Sequence, residues 1–525
     1  MSATEVAPVQ SAQSAQPPQA MRRFPLVIVT NHSTRPKTRW VTVGIPYGTG
    51  PKGNYATFGP GMIAVRGPAV AEHTQLWDVR CTVAGKQRTV LAGFREMPSV
   101  TDADMPGLGR WSDLIQGPKL VPTVYIEANG EVFAFRADQM GLLHLSAARA
   151  RVAAFGMARG FHARIFANLW SGQDVIDLTR SAIIWSDPGS PQQRIRCKVW
   201  VEFGEPWQPY LASASGFSQV TGGKWLLFDG ELLDGCGVTF RGVILPTDKT
   251  PATIEGWRED QENAAVEGPL TASCSEVLGS LPSPWDGNWL AGRAAPWEFR
   301  DSIDSRNEAD ALLAHVGNVT DARPLANELE TGRTGSQPCF GATKDLLATS
   351  GDANRMLLLE WSADDYLLRG LIHYETNGAM VTAANHPNWK TWSGCAHESG
   401  SDTLGKSVSN RPWGWDTFAS GRKIGVDDQH RGDLYIHCDY AMTGDELLRE
   451  QLLHHLQTDK ARAFRANRLA MPDPSDPRNM DWVDAPRAYG RMWQSWANAI
   501  VLLPDQRDFV VEMAMTELSF WRRRI

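Results

Sequence analysis

At 525 residues the chain is too long for one ordinary hydrophobic core, so two or three domains are expected. Hydrophobic residues make up 42% and charged residues 21%, the balance of a folded protein, which excludes a disordered chain. The net charge of -7, with basic residues scattered, excludes a nucleic-acid footprint.

Residues 1–20 are rich in Ala, Gln, Ser and Pro and have no periodicity. They read as a flexible or partner-bound arm. The arm has neither a basic start nor an apolar central run, so it is not written as a secretory signal. No stretch approaches the roughly 18 consecutive apolar residues of a membrane span. The expected location is therefore the cytoplasm or a virion. Seven widely spaced cysteines, without a Cys-x-x-Cys pair, read as isolated buried thiols, with no disulfide framework and no zinc knuckle.

Residues 21–245 are written as strands and turns. "FPLVIVTN", "RWVTVGI", "LWDVRCTV" and "RTVLAGF" are short β-branched or aromatic runs separated by turn residues. "PTVYIEANGEVFAFRADQ" predicts a hairpin turning at Asn129-Gly130. Strand signals continue through "HARIFANLWSG", "QRIRCKVWVEFG" and "CGVTFRGVIL", with Asp187-Pro188-Gly189 as one of the turns. More than about ten strands without intervening helices predict a β-sandwich, or a barrel followed by a sandwich. Residues 142–160 fit a helix or long strands equally well. The glycine-rich Gly44–Gly53 lacks the terminal Gly-Lys-Ser/Thr of a phosphate loop and reads as a turn. No motif calls for a cofactor.

Residues 246–297 read as a connecting region, and residues 298–525 as a helical domain. "DSRNEADALLAHVG", "NRMLLLEWSADDYLLRGLIHYE" and "DELLREQLLHHLQTDKARAFRANRLA" carry the helical period. Thr443 and Glu446 have capping-box spacing. Helices joined by short turns suggest antiparallel pairs, as in an α/α toroid or part of one. His454 and His455 are expected on a solvated helix face.

Two features point to chemistry. Tryptophan is abundant, 21 against 9 tyrosines, and Trp389, Trp392, Trp413 and Trp415 share one long irregular stretch with His386. Indole faces beside polar groups suit sugar rings, although the same residues would also pin a loop to helices. Then His430, Asp433, His437 and Tyr440 stand at i, i+3, i+7 and i+10, on one face of a helix. A polar, titratable stripe suits the lining of a wet cavity, with Arg431 or Arg411 available to fix a carboxylate. It equally suits a hydrogen-bonded network between packed helices. The i, i+7 spacing of the two histidines is a poor metal-ligand pattern, so no metal site is expected.

"VDDQHRGDLYIHCDYAMTGDELLRE", preceded by "RPWGWD", resembles the toroid segment of the exo-rhamnogalacturonan lyase-like proteins (the YetA-like group). The opening "NHSTRPKTRWVTVGIPYGTGP" is similar to the start of that family's β-domain. The resemblance covers about 40 residues, the residue-by-residue match being Asp427-Asp428-Gln429-His430. It implies a β-domain, an α/α toroid and β-elimination of uronic-acid glycans. In that chemistry His430 or His437 would be the base, Arg431 or Arg411 the cation and Tyr440 the acid. Trp389, Trp392, Trp413, Trp415, His386 and Asp433 would hold the glycan. About six to eight helices are expected, fewer than a full double ring, so a partial toroid is the expected form. Such a half-ring could bind glycan without turning it over. The alternative is a non-enzymatic structural protein of a tailed-phage virion, a tail, fibre or decoration component. Residues 1–20 would then order against a neighbouring subunit.

Overall fold

A computed structural model describes residues 27–246 with short breaks (the longest 102–119), then 270–274, 372–385 less residue 383, 433–463 and 486–522. Two further single residues, Val277 and Ala363, are placed in the core. Nineteen strands and four α-helices are described. The arm at 1–20, the turn at 187–189 and the expected helix at 304–317 lie outside these residues. Of the helix expected over 354–375, Ala363 is helical, but 372–375 are not, and Tyr374 forms a β-bridge with Met380 instead.

Where β-branched and aromatic runs alternate with turn residues, strands form. Four antiparallel sheets result. The largest has six strands in the order β10 (Gly141–Leu145), β11 (Arg149–Ala158), β12 (Phe161–Trp170), β13 (Ile176–Trp185), β18 (Gly237–Pro246) and β15 (Trp207–Ser213). Facing it is a five-stranded sheet: β16 (Gln219–Val220), β17 (Lys224–Leu233), β14 (Arg194–Phe203), β8 (Pro122–Ala128) and β9 (Glu131–Arg136). Val124, Ile126, Val199 and Val201 of one sheet meet Val152, Ile165, Ile183 and Phe240 of the other in a single apolar core. These two sheets are a β-sandwich.

The expected hairpin is present. β8 and β9 pair in register from Thr123↔Arg136 to Ala128↔Glu131, and Asn129 and Gly130 both have positive φ, 52° and 82°, as a two-residue primed turn requires. The ambiguous 142–160 segment resolves as strands. Its alanines favour helix weakly, but β12 offers a complete ladder to β11, and the Arg159-Gly160 turn (φ 49° and 80°) closes the pair.

A second five-stranded sheet has the order β2 (Lys37–Pro46), β5 (Thr74–Val83), β4 (Met62–Val70), β3 (Tyr55–Gly59) and β7 (Arg95–Met97). Gly44–Gly53 forms the end of β2 and the turn after it, as its sequence indicates. A small sheet joins β19 (Leu270–Cys274), β1 (Val27–Asn31) and β6 (Arg88–Leu91). β19 falls in the region read as a connector, yet pairs with β1 along its whole length.

The helices are α1 (Asp433–Thr443), α2 (Glu446–Ala463), α3 (Pro486–Leu502) and α4 (Arg507–Arg522), with a short 3-10 turn, Pro504–Gln506, before α4. They share one core with the amino-terminal strands: Val43, Leu76 and Trp77 belong to the same cluster as Ile436, Leu447, Leu452 and Trp496. Ala182 and Ile184 of β13 and Phe166 of β12 join that cluster too. The six-stranded sheet is thus covered on both faces, which is why all ten residues of β13 are buried. Gly44 permits the close approach of α1 to β2, since a Cβ there would lie 3.0 Å from the Met442 carbonyl oxygen.

The capping-box expectation needs correction. Thr443 is the last residue of α1, and its hydroxyl donates to the Asp439 carbonyl at 2.7 Å. The cap of α2 is Asp445, whose Oδ1 accepts from the Leu447 N–H at 2.9 Å. Gly444, at φ +63°, turns the chain between the two helices. Cys81, Cys197, Cys236, Cys274 and Cys438 are buried, and burial pushes the Cys81 and Cys197 thiols up to about 12. Among the described residues no helix is long and apolar enough to cross a membrane.

Candidate functional site

The sequence points to α1, and α1 turns out to be an interior helix. From Ile436 to Met442 every side chain is buried, because β2 and β5 lie on one side and α2 and α3 on the other. His437 is 1% exposed and Tyr440 7%. Burial pushes the Tyr440 phenol up to about 12. A wet cavity at these two positions is not what the packing provides. At His437 and Tyr440 the stripe is enclosed between packed elements.

Asp433 opens α1, and its side chain lies outside the described residues. His430, Arg431, Arg411, His386, Trp389, Trp392, Trp413 and Trp415 also lie outside them. None of the described tryptophans is exposed. Trp40, Trp77, Trp170, Trp185, Trp207, Trp225 and Trp496 are buried, and Trp200 and Trp493 are half-buried. His454 and His455 are not solvated but buried, at 0% and 2%, because α2 packs against β12 through Tyr374 and against α1. Even an amphipathic-looking helix loses its wet face when neighbours cover it on several sides.

The chemistry that the structure does assemble is a layer of charge between the six-stranded sheet and the helices. Strand periodicity places Arg149 and Arg151 of β11, and His162 and Arg164 of β12, on the helix-facing side. Arg180 of β13 reaches α1 and the turn after it, with Nη2 2.6 Å from Asp439 Oδ2 and Nη1 3.3 Å from Asp445 Oδ2. Arg241 of β18 adds its charge beside Asp439. Burial raises the Asp439 carboxyl above the usual range, although Arg180 and Arg241 pull it down. Arg151 donates to the Gly444 carbonyl at 2.9 Å, satisfying a carbonyl at the α1–α2 corner.

At the start of β11, Arg149 Nε lies 3.1 Å from Asp78 Oδ2, and Thr42 donates to Asp78 Oδ1 at 3.0 Å. Arg149 also stacks 5.1 Å over Trp170, which is parallel to Trp40 at 5.9 Å. Burial raises the Asp78 carboxyl, with Arg149 and Thr42 opposing. Near α2, Arg164 meets Glu450 at 3.2 Å and donates to the Tyr374 hydroxyl at 3.1 Å and to the Gly378 carbonyl at 3.2 Å. These arginines are not among the residues that the sequence singles out. The signal was present: "ARARVAAF", "HARIF" and "LTRSAIIW" put charges inside otherwise apolar strands, which is affordable only against fixed counter-charges.

One concavity stands apart from this layer. A groove of about 770 Å³ between the β3–β4 hairpin and the β6–β7 region is lined by Phe58, Met62, Ile63, Phe94 and Met97, with Arg95 as its one charged lining residue. It lacks the several convergent polar groups that sugar hydroxyls require. Among the described residues no group of three or more His, Cys, Asp or Glu side chains is arranged to hold a metal ion. Compared with known proteins, the chain matches no family model and no curated protein.

Proposed function

We propose that the chain is a non-enzymatic structural protein that builds into a larger assembly, a tailed-phage virion being the setting that suits it. The observation that carries this reading is the apolar edge of the six-stranded sheet. β10 has β11 on one side and no strand on the other among the described residues, and its Leu142, Leu143 and Leu145 are exposed. An uncharged, leucine-rich edge strand invites pairing with another chain, and monomeric proteins ordinarily blunt such edges. α4 adds a second strip, with Val511, Met515 and Leu518 exposed at i, i+4 and i+7. Titratable groups of the kind a lyase would use are, on α1, enclosed by packing.

The glycan-directed reading, in which a partial α/α toroid binds or β-eliminates uronic-acid glycans, rests on the resemblance around Asp427–His430 and on the Trp389–Trp415 stretch. One pair of measurements separates the two. Sedimentation of the purified protein should show concentration-dependent self-association, weakened by Leu142→Lys combined with Leu145→Lys. Uronic-acid glycans should give no ultraviolet-absorbing unsaturated product. A monomer that cleaves such glycans, and stops when His430 is replaced by Ala, would overturn the structural reading in favour of the lyase.

A further inference from the structure

Interior histidines gather where α2 and the 372–381 segment meet the six-stranded sheet. His162 of β12 is 1% exposed, and neither of its ring nitrogens has a hydrogen-bond partner among the described residues. Its ring lies 4.8 Å from that of Tyr374, and His454 of α2 meets Tyr374 at 4.9 Å, edge-on. Tyr374 is tied to the sheet in turn: its N–H donates to the Ser186 hydroxyl at 2.9 Å, and that hydroxyl donates to its carbonyl at 3.1 Å. His454 is fully buried and accepts the His373 N–H through Nδ1 at 3.3 Å. An imidazole that accepts through Nδ1 carries its proton on Nε2. A second proton would have to sit on Nδ1, pointing at the His373 N–H. His162 has no acceptor for an added proton and shares its strand face with Arg164. Neither ring can take up charge in place.

We propose that the His162–Tyr374–His454 stack is an acid-sensitive latch that holds α2 and the 372–381 segment on the six-stranded sheet at neutral pH and lets them go in acid. The groups facing the stack are Arg164 from β12, His373 from the 372–381 segment, and Glu450 and His455 from α2, with Glu446 beside Glu450. Burial, aided by Arg164, pushes His162 down to about 4 from its ordinary 6.5. Burial also drives His454 well down, with His373, Arg164, His455 and His162 adding to the effect. A histidine whose closed-state pKa lies below that of the open state leaves the latch intact above 6.5. As the pH falls from 6.5 towards about 4, the open form gains protons that the closed form refuses, and closure weakens. For His162 alone the gap corresponds to about a 300-fold fall in the closing equilibrium. Glu450 has the opposite sign: burial raises its carboxyl, so the closed form accepts that proton readily. The histidine contribution is therefore read by difference between variants.

Hydrogen exchange, corrected for intrinsic pH dependence, tests the latch on the whole chain. Near pH ~4.5, peptides from 372–381 and α2 should lose at least about tenfold in protection relative to pH ~7, while β8 and β14 keep theirs. His162→Phe and His454→Asn, whose Oδ1 replaces the Nδ1 acceptor, should each move the onset to lower pH. In the wild type, nuclear magnetic resonance should show two histidine rings that stay neutral to well below pH 6 until exchange of α2 rises. Uniform loss of protection through the sandwich, no loss in α2, or ring titration near 6.5 with α2 still protected would each overturn the proposal. So would folded variants that keep the wild-type onset, and the wild-type ring titration decides if a variant does not fold.

Discussion

Asp78 and Arg149 illustrate what a buried charge requires. Their side chains are 0% and 2% exposed, and each depends on the other, with Thr42 and Trp170 completing the surroundings. Desolvation of the two ions largely offsets their attraction, so the pair adds little net stability while its disruption is expensive. Asp78→Ala should therefore destabilise the fold by about 3–5 kcal/mol in urea titrations. Combining Asp78→Leu with Arg149→Met should recover most of that loss. If the double replacement is as damaging as the single one, the pair contributes more than a satisfied charge. Neither partner is conspicuous in the sequence, because 71 positions separate them and a lone Asp in "LWDVRCTV" reads as a solvent-facing strand residue.

Among the elements, the α1–α2 corner is the most constrained. Gly444 has φ +63°, and a Cβ there would come within 2.7 Å of Leu76 Cδ1 and 3.3 Å of Val70 Cγ2. Gly130 has a similar φ of +82° but nothing within 4 Å of a Cβ. Gly130→Ala should thus cost about 1 kcal/mol, the backbone penalty alone. Gly444→Ala adds overpacking against a buried leucine and should cost about 2–4 kcal/mol, read as a larger shift of the denaturation midpoint. Equal shifts would mean that Leu76 yields freely. The Asn129-Gly130 hairpin was legible because its turn chemistry is local. The cap of α2 was misplaced by two residues, since Thr443 and Asp445 are both good caps and only the fold of the corner chooses between them.

Across the whole molecule, the helical layer and the amino-terminal strands stand or fall together. Leu447 of α2 is fully buried in the cluster that holds Val43, Leu76 and Trp77. Leu447→Ala should cost about 2–5 kcal/mol. Loosening should appear as faster hydrogen exchange in β2 and β5 as well as in α1 and α2, while β8 and β14 in the sandwich core change less. Loss of protection confined to the helices would show that the two layers are energetically separate.

What the sequence settles by itself is what local chemistry governs: strands in the described parts of residues 27–246, a primed turn at Asn129-Gly130, helical writing towards the carboxyl end and, among the described cysteines, buried thiols. Strand alternation and turn residues act over a few positions, so they can be read without knowing the neighbours. The tertiary structure alone decides which face of an element meets water. The imidazole and phenol of His437 and Tyr440 are the same groups whether they line a cavity or a core. What encloses them is α1's position between β2, β5, α2 and α3, and that depends on contacts hundreds of residues apart. The arginines of β11, β12 and β13 follow the same rule, because a charge inside a strand is tolerable only where a distant Asp or Glu is brought to meet it.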